Sequence, residues 1–395
     1  MTQFNELSLS APLASSLSKQ NFTTPTPVQA LAIEPALAGK DVVATAQTGT
    51  GKTLAFVLPL IQRLAHSKGV NALVLSPTRE LAIQINETFE KLAPGSGLRS
   101  AVIVGGLSER AQLQSVRKGA QVLIATPGRL YDFLSRGLIK LNTARVVVLD
   151  EADRMLDMGF LPTIERILAE TPATRQTMFF SATMDPNVKH LVDRHVRDAV
   201  RVEVGATTKP AEQVDLFVYE VEQNGKTDLL TSMLREEEGS FLVFARTKHG
   251  ADRLAKRLSE AGFKTAAIHG DRSQSQRNQA LKGFQESYYR VLVATDVAAR
   301  GIHVDNIAHV VNYDLPQAPE DFIHRVGRTG RAGSRGVATT FAARMERGDV
   351  ARIERTIQMK LTRRHVPGAP AEVIEIPKPR WRSFGPSKNR RRRAV

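Results

Sequence analysis

One stretch, residues 41–53 (DVVATAQTGTGKT), constrains the fold of this chain more than any other. The apolar run Val42, Val43, Ala44 breaks into a loop holding Gly49 and Gly51. The loop ends in Lys52-Thr53, ahead of a helical pattern over 54–64. A strand, a tight turn and a helix start, in that order, form a cradle for a triphosphate. Glycines let the backbone N–H groups of Thr48, Gly49, Thr50 and Gly51 approach phosphates with no Cβ in the way, and the helix N-terminus adds partial positive charge. Lys52 has the reach for the β- and γ-phosphates, and the Thr53 hydroxyl suits Mg²⁺. Ala46 stands where the usual pattern has its first glycine.

Around this stretch the chain alternates short apolar runs with amphipathic patterns. Runs at 42–44, 72–75, 101–104, 122–125, 146–149 and 178–180 are separated by helical patterns such as 79–92 and 159–168. Short Val/Ile/Leu runs between helices predict α/β architecture: a buried, mostly parallel sheet with helices on both faces. The candidate functional segments follow the carboxyl ends of these runs, where ligands sit in open α/β sheets. Composition shifts near Val204. The small, polar, Pro-containing segment 203–213 reads as a linker, and fully extended it spans about 35 Å. A second block follows with runs at 215–219, 241–245, 265–268, 291–294, 308–311 and 337–341, and a closing helix pattern at 343–359. It repeats the rhythm but is read as having no GKT of its own. The expected units are 1–202, the linker 203–213, 214–364, and a Pro- and Arg-rich tail 365–395 that reads as disordered.

At 395 residues, two or three domains are expected, each able to bury a core. No run of 18 apolar residues occurs, so no membrane span is expected, and the N-terminus lacks the pattern of a secretory signal. The chain has no cysteine, which removes disulfides and thiolate metal sites and fits a reducing cytoplasm. Net charge is +15, and residues 376–395 hold eight Lys/Arg and no acid. The excess is therefore concentrated in the tail and points to a polyanionic partner, with Trp381 and Phe384 as candidate stacking groups.

The second chemical landmark is RVVVLDEAD at 145–153. A β-branched run delivers two acids to a strand end. Asp150 suits Mg²⁺ bridging phosphates, as an outer-sphere ligand through water, and Glu151 suits positioning and deprotonating a water. An acidic turn alone is ordinary near a helix start, but with the Lys52 loop it specifies nucleotide hydrolysis.

With these two motifs and those below, the chain resembles the DEAD-box RNA helicases over residues 4–345, and looks closest to the bacterial RhlE-type group. The resemblance implies two tandem RecA-like domains, ATP and Mg²⁺ as cofactors, RNA as partner through its sugar-phosphate backbone, and cytoplasmic location. It implies adenine recognition by Phe22 and Gln29 in FTTPTPVQ, with Phe4 upstream. It implies RNA contacts at Thr78 and Arg79 in SPTREL, at Gly105 and Gly106, and at Thr126, Gly128 and Arg129. In the second block, VFARTK, QSQR and ATDVAARG supply Thr247, Arg277, Thr295 and Arg300. HRVGRTGR supplies Arg328 and Arg331 as arginine fingers, whose planar charge spreads over a developing γ-phosphate. Asp153, Ser181, Thr183 and His324 would couple the acids to RNA binding, although the Ser181 and Thr183 hydroxyls are also suited to capping the next helix. One departure stands out: after Arg300-Gly301-Ile302 the family usually has Asp for the ATP ribose, whereas here His303 follows, with Asp305 two residues on. Two rival readings remain on the residues: a DNA-dependent translocase on the same plan, and an RNA clamp or annealing factor with little turnover. Ribosome assembly and RNA decay are typical settings of relatives.

Overall fold

The apolar runs become the strands of two parallel sheets. The computed structural model describes residues 3–46, 50–204, 213–299, 307–330 and 335–366. The first sheet contains β1 (Val42–Ala46), β2 (Ala72–Leu75), β3 (Ser100–Ile103), β4 (Val122–Ala125), β5 (Val146–Leu149), β6 (Gln176–Ser181) and β7 (Val200–Val204), ordered β3-β4-β2-β5-β6-β1-β7. The second contains β8 (Val214–Glu220), β9 (Phe241–Phe244), β10 (Thr265–Ile268), β11 (Val291–Ala294), β12 (His309–Asn312), β13 (Gly336–Ala342) and β14 (Thr362–Arg364), ordered β10-β11-β9-β12-β13-β8-β14. All of these pairings are parallel. Adding seven to each strand number of the first order yields the second, so one topology is used twice.

Central strands are buried on both faces, and the period of two divides their side chains between two cores. Ala44, Val74 and Val148 pack on one side of the first sheet with Phe56 and Phe180, whose rings lie 5.3 Å apart. Their neighbours Val43, Leu73 and Val147 pack on the other side with Phe133 and Phe179. The second sheet is sandwiched in the same way, with Leu242 and Phe322 in one core and Val243 and Phe341 in the other. Each fully buried Val, Leu or Phe contributes about 1.5–3 kcal/mol.

The apolar runs do not reveal β7 and β14. Both are edge strands: β7 reads VRVEV and is buried only at its centre, and β14 reads TRR and is exposed throughout. Their pairing to β1 and β8 comes from backbone hydrogen bonds, which need no apolar side chain. Strand β7 also takes in Glu203 and Val204, the first two residues of the segment expected to be a linker. Residues 205–212 and the tail from 367 lie outside the described residues. The closing pattern at 343–359 resolves into a short turn of helix, Arg344–Glu346, and an α-helix, Arg347–Ile357, ended by Gln358 in the left-handed region.

A further difference concerns the second block. It is read above as having no GKT, yet the sequence itself carries Gly225-Lys226-Thr227, and the structure places the triplet at the head of the helix Lys226–Glu236, which follows β8. Strand β8 is the counterpart of β1 in the repeated order, so both sheets carry GKT at the same topological place.

Candidate active site at the junction of the two domains

The loop after β1 feeds the helix Lys52–Leu64, capped by Gly51 at φ +86. Only glycine adopts this conformation without strain, and a Cβ there would run into the Gln29 amide. Gln29 is buried beneath the loop. Its Oε1 accepts from Thr26 N at 2.9 Å, and its Nε2 donates to Gly51 O at 2.9 Å. The Thr26 hydroxyl donates to Thr50 O at 2.7 Å. The amide expected to meet an adenine edge is therefore already tied to the loop on both sides. One lone pair and one N–H remain for a base. Phe22 stays 39% exposed, as a stacking surface must. Thr48 and Gly49 lie outside the described residues.

Lys52 is buried, and its ammonium donates to Ala46 O at 2.7 Å. Asp150, at the end of β5, is also buried. Burial pushes its carboxyl up to about 7, against the pull of the Lys52 charge, with Glu151 adding to the rise. Glu151 sits at φ +50, a left-handed conformation that costs a non-glycine residue about 1–2 kcal/mol, and it is buried there. Among the described non-glycine residues of positive φ, Asn21, His66, Asp198, Ser287 and Gln358 lie in turns or ends of elements. Glu151 lies at the focus of the sheet's carboxyl edge, where backbone strain serves to aim a side chain.

Asp153 joins the acids to the end of β6. Its Oδ2 accepts from Ala182 N, Thr183 N and Thr183 Oγ1 at 3.1, 3.0 and 3.2 Å, and its own N–H donates to Ser181 Oγ at 3.3 Å. The alternative role for these hydroxyls, capping the following helix, falls to Asp185, whose carboxylate accepts from Asn187 N and Val188 N. Three partners on one carboxylate oxygen make this a rigid joint.

The second domain comes to the same edge. Arg154, next to Asp153 and buried, donates to Asp321 Oδ1 at 2.7 Å across the domain junction. His324 lies one helical turn on. Burial and the neighbouring Arg154 charge push its imidazole down to about 4, while Asp153 and Glu151 pull the other way. The ring is therefore neutral at neutral pH and stands within electrostatic reach of both acids. Arg328 is buried beside it, lining a small cavity with Arg154, Asp321 and His324. Arg325 anchors this segment: its guanidinium is bidentate to Asp296 at 2.6 and 2.7 Å, reaches Asp314 O, and lies over the Phe244 ring. Arg300, His303, Asp305 and Arg331 lie outside the described residues.

The residues assigned to a nucleic-acid backbone occupy matching positions on the two sheets. Thr78 follows β2 and Thr247 follows β9; each caps a helix, accepting from Leu81 N at 3.3 Å and Gly250 N at 3.0 Å. Thr126 and Thr295 follow β4 and β11 in the same way. Helix starts Arg79–Leu92, Pro127–Ser135 and Lys248–Glu260 thus turn free N–H groups toward one edge. Gly106, at φ +77, lies under the Arg79 guanidinium, where a Cβ would collide with it. The Gly128 position is open. Arg129 pairs with Glu109 at 3.4 Å and lies over the Phe133 ring.

Two residues inside the quoted motifs, but unassigned by sequence reading, bridge the domains. Glu80 is buried; its carboxylate accepts from Gln274 Nε2 at 2.9 Å and pairs with Arg277 Nη2 at 2.9 Å. Arg277, expected on the nucleic acid, is thus committed in part to Glu80. The Arg154–Asp321 pair was missed likewise. These partners are 194 and 167 residues apart, so spacing carries no signal of them.

The DEAD/DEAH box helicase family model matches residues 26–191, and the helicase conserved C-terminal domain model matches 225–333. The chain is 42% identical over 369 residues to a DEAD-box ATP-dependent RNA helicase CshA of Bacillus cereus, covering 93% of this chain and 70% of the relative. That relative carries the name CshA rather than that of the RhlE-type group. Among solved structures, Dbp5 of S. cerevisiae bound to RNA and ADP BeF3 superposes with a TM-score of 0.85 at 30% identity, covering 93% of this chain and 96% of that one. A DEAD box protein from the hyperthermophile Methanococcus jannaschii is 37% identical, covering 92% of this chain and 99% of that one, yet superposes with a TM-score of only 0.54. Higher identity with a poorer superposition is what different placement of two similar domains produces. The motif order, the duplicated fold and these matches agree: the chain belongs to the family of DEAD-box ATP-dependent RNA helicases.

Proposed function

We propose that the protein is an RNA-stimulated ATPase that separates short RNA duplexes or remodels ribonucleoprotein by closing its two domains. The observation that carries this is the convergence at one junction of Lys52, Asp150 and Glu151 from the first domain with His324 and Arg328 from the second. Closure on ATP and RNA together completes the site.

Lys52 and the loop N–H groups hold the β- and γ-phosphates. Glu151 orients a water on the γ-phosphorus and takes its proton as the bond to the ADP oxygen breaks. Arg328 and Arg331 stabilise the charge on the transferring group, and Phe22 and Gln29 hold the adenine. Asp150 and Thr53 fit Mg²⁺: a buried carboxyl with so raised a pKa gains from a cation. When bound, the ion would neutralise phosphate charge. RNA lies across Thr78, Arg79, Gly105, Gly106, Thr126, Gly128, Arg129, Thr247, Arg277, Thr295 and Arg300, held by backbone and 2′-hydroxyls rather than read by base. Asp153, Ser181, Thr183 and His324 relay closure to the acids. Among the described residues no helix is long and apolar enough to cross a membrane, and the cysteine-free sequence supports a cytoplasmic setting.

The test is ATP hydrolysis with and without single-stranded RNA, with DNA of the same sequence as control. Glu151→Gln should lower the stimulated rate by about 10²–10⁴-fold while leaving the fold intact. Full RNA-stimulated turnover by this variant would refute the assignment.

A further inference from the structure

The GKT triplet of the second domain is a copy of the nucleotide cradle that the protein has filled with its own groups. Asp314 stands two residues past β12 and Asp150 one residue past β5, and each amide donates to the last residue of the neighbouring strand, Asp314 N to Phe244 O at 3.1 Å and Asp150 N to Leu75 O at 2.9 Å. Four residues separate β8 from Gly225, as four separate β1 from Gly51. The outcomes differ. Gly225 has φ −87 where Gly51 has +86, and the turn before it closes through Gly225 N to Glu222 O at 2.9 Å. Lys226 is 1% exposed. Its ammonium donates to Tyr313 O at 2.9 Å and lies 3.8 Å from both Asp314 Oδ1 and Glu346 Oε2. The Thr227 hydroxyl, counterpart of Thr53, bonds the Tyr313 hydroxyl at 2.9 Å. Two carboxylates thus stand where phosphate charge would be needed.

Those carboxylates have a second duty. Asp314 Oδ2 accepts from Arg246 N at 2.9 Å, Glu346 Oε1 lies 3.5 Å from Arg246 Nη2, and Glu346 Oε2 accepts from Ala343 N at 2.9 Å. Arg246 precedes Thr247 and lines the cleft between the domains, a cavity of about 780 Å³. A buried cation that loses its partners, or leaves them unpaired, is costly, so Lys226 holds both acids in place.

We infer that Lys226 is a positioning residue: through Asp314 and Glu346 it fixes the Arg246–Thr247 turn against RNA, and it binds no nucleotide itself. This rests on the proposed RNA-stimulated ATPase activity.

The test uses the full chain, a single-stranded RNA oligonucleotide and a fluorescent ATP analogue. Wild-type RNA stimulation is measured first; its absence would defeat the functional reading, not this inference. Given stimulation, Lys226→Met should raise the RNA concentration for half-maximal ATPase about tenfold and shift half-saturation by ATP less than about twofold, with Lys226→Arg restoring much of the loss. Glu346→Gln, a milder change, should raise the RNA requirement about threefold and decides the matter if Lys226→Met does not fold. The analogue should titrate one site per chain. An unchanged RNA requirement in folded variants, parallel losses for RNA and ATP with a lowered melting temperature, or two nucleotide sites would each overturn the inference.

Discussion

Asp150 shows how burial sets the chemistry of a single side chain. Its folded-state pKa of about 7 lies above the ordinary 3.8. In nucleotide- and metal-free protein its contribution to stability is therefore fully present below about pH 4 and is lost as pH rises through about 7. Urea denaturation of wild type and Asp150→Asn between pH 4 and 8 should show a fall in wild-type stability over that window that is absent in the variant. An ATP–metal complex should remove the slope by holding the carboxylate ionised. Glu151 illustrates the other residue-level device, backbone strain accepted at a buried position. Its identity as an acid is plain in LDEAD, but its left-handed conformation is not, because φ is decided by the strand end and helix start it connects.

At the level of elements, the strand–loop–helix of β1 carries the cradle, and Gly51 is its hinge point. Gly51→Ala should destabilise the chain by about 1–2 kcal/mol from the φ +86 conformation alone. It should also displace Gln29 and weaken ATP binding, which a nucleotide titration and a thermal melt together would separate. Central strands β2, β4, β5 and β11 have the bounds that their apolar runs specify, because burial on both faces demands an unbroken run. The edges β7 and β14 escape that logic. The second GKT shows a different limit: a triplet that reads as a phosphate cradle after β1 forms an internal salt-bridge centre after β8. Loop conformation and the neighbouring Asp314 and Glu346 make the difference.

At the scale of the whole molecule, the two domains meet through charged side chains. Glu80 is buried with two donors from the other domain, so Glu80→Gln should weaken closure and lower the RNA-stimulated rate at subsaturating RNA by about tenfold, with less effect on melting. Closure also depends on pH. His324 is held down to about 4 at the junction, against an ordinary 6.5 when solvated in separated domains. The closed form therefore binds fewer protons between these values. Its stability should be full above about pH 6.5 and decline as pH falls toward 4. Energy transfer between dyes on the two domains, with ATP analogue and RNA bound, should report opening on acidification, and His324→Gln should flatten the response.

The primary sequence alone determined the two α/β blocks, the Lys52 cradle, the Asp150–Glu151 pair and the family resemblance. Each of these rests on local order: apolar runs that must be buried, glycines that must turn, acids that must follow a strand. Tertiary structure alone decided that Gln29 is tied to the loop, that Ser181 and Thr183 serve Asp153 rather than a helix cap, and that Glu80 and Arg154 bridge the domains. It also decided that the second GKT is sealed by carboxylates. These depend on partners far apart in the chain, whose pairing follows from how two sheets pack, and no spacing in a one-dimensional string encodes it.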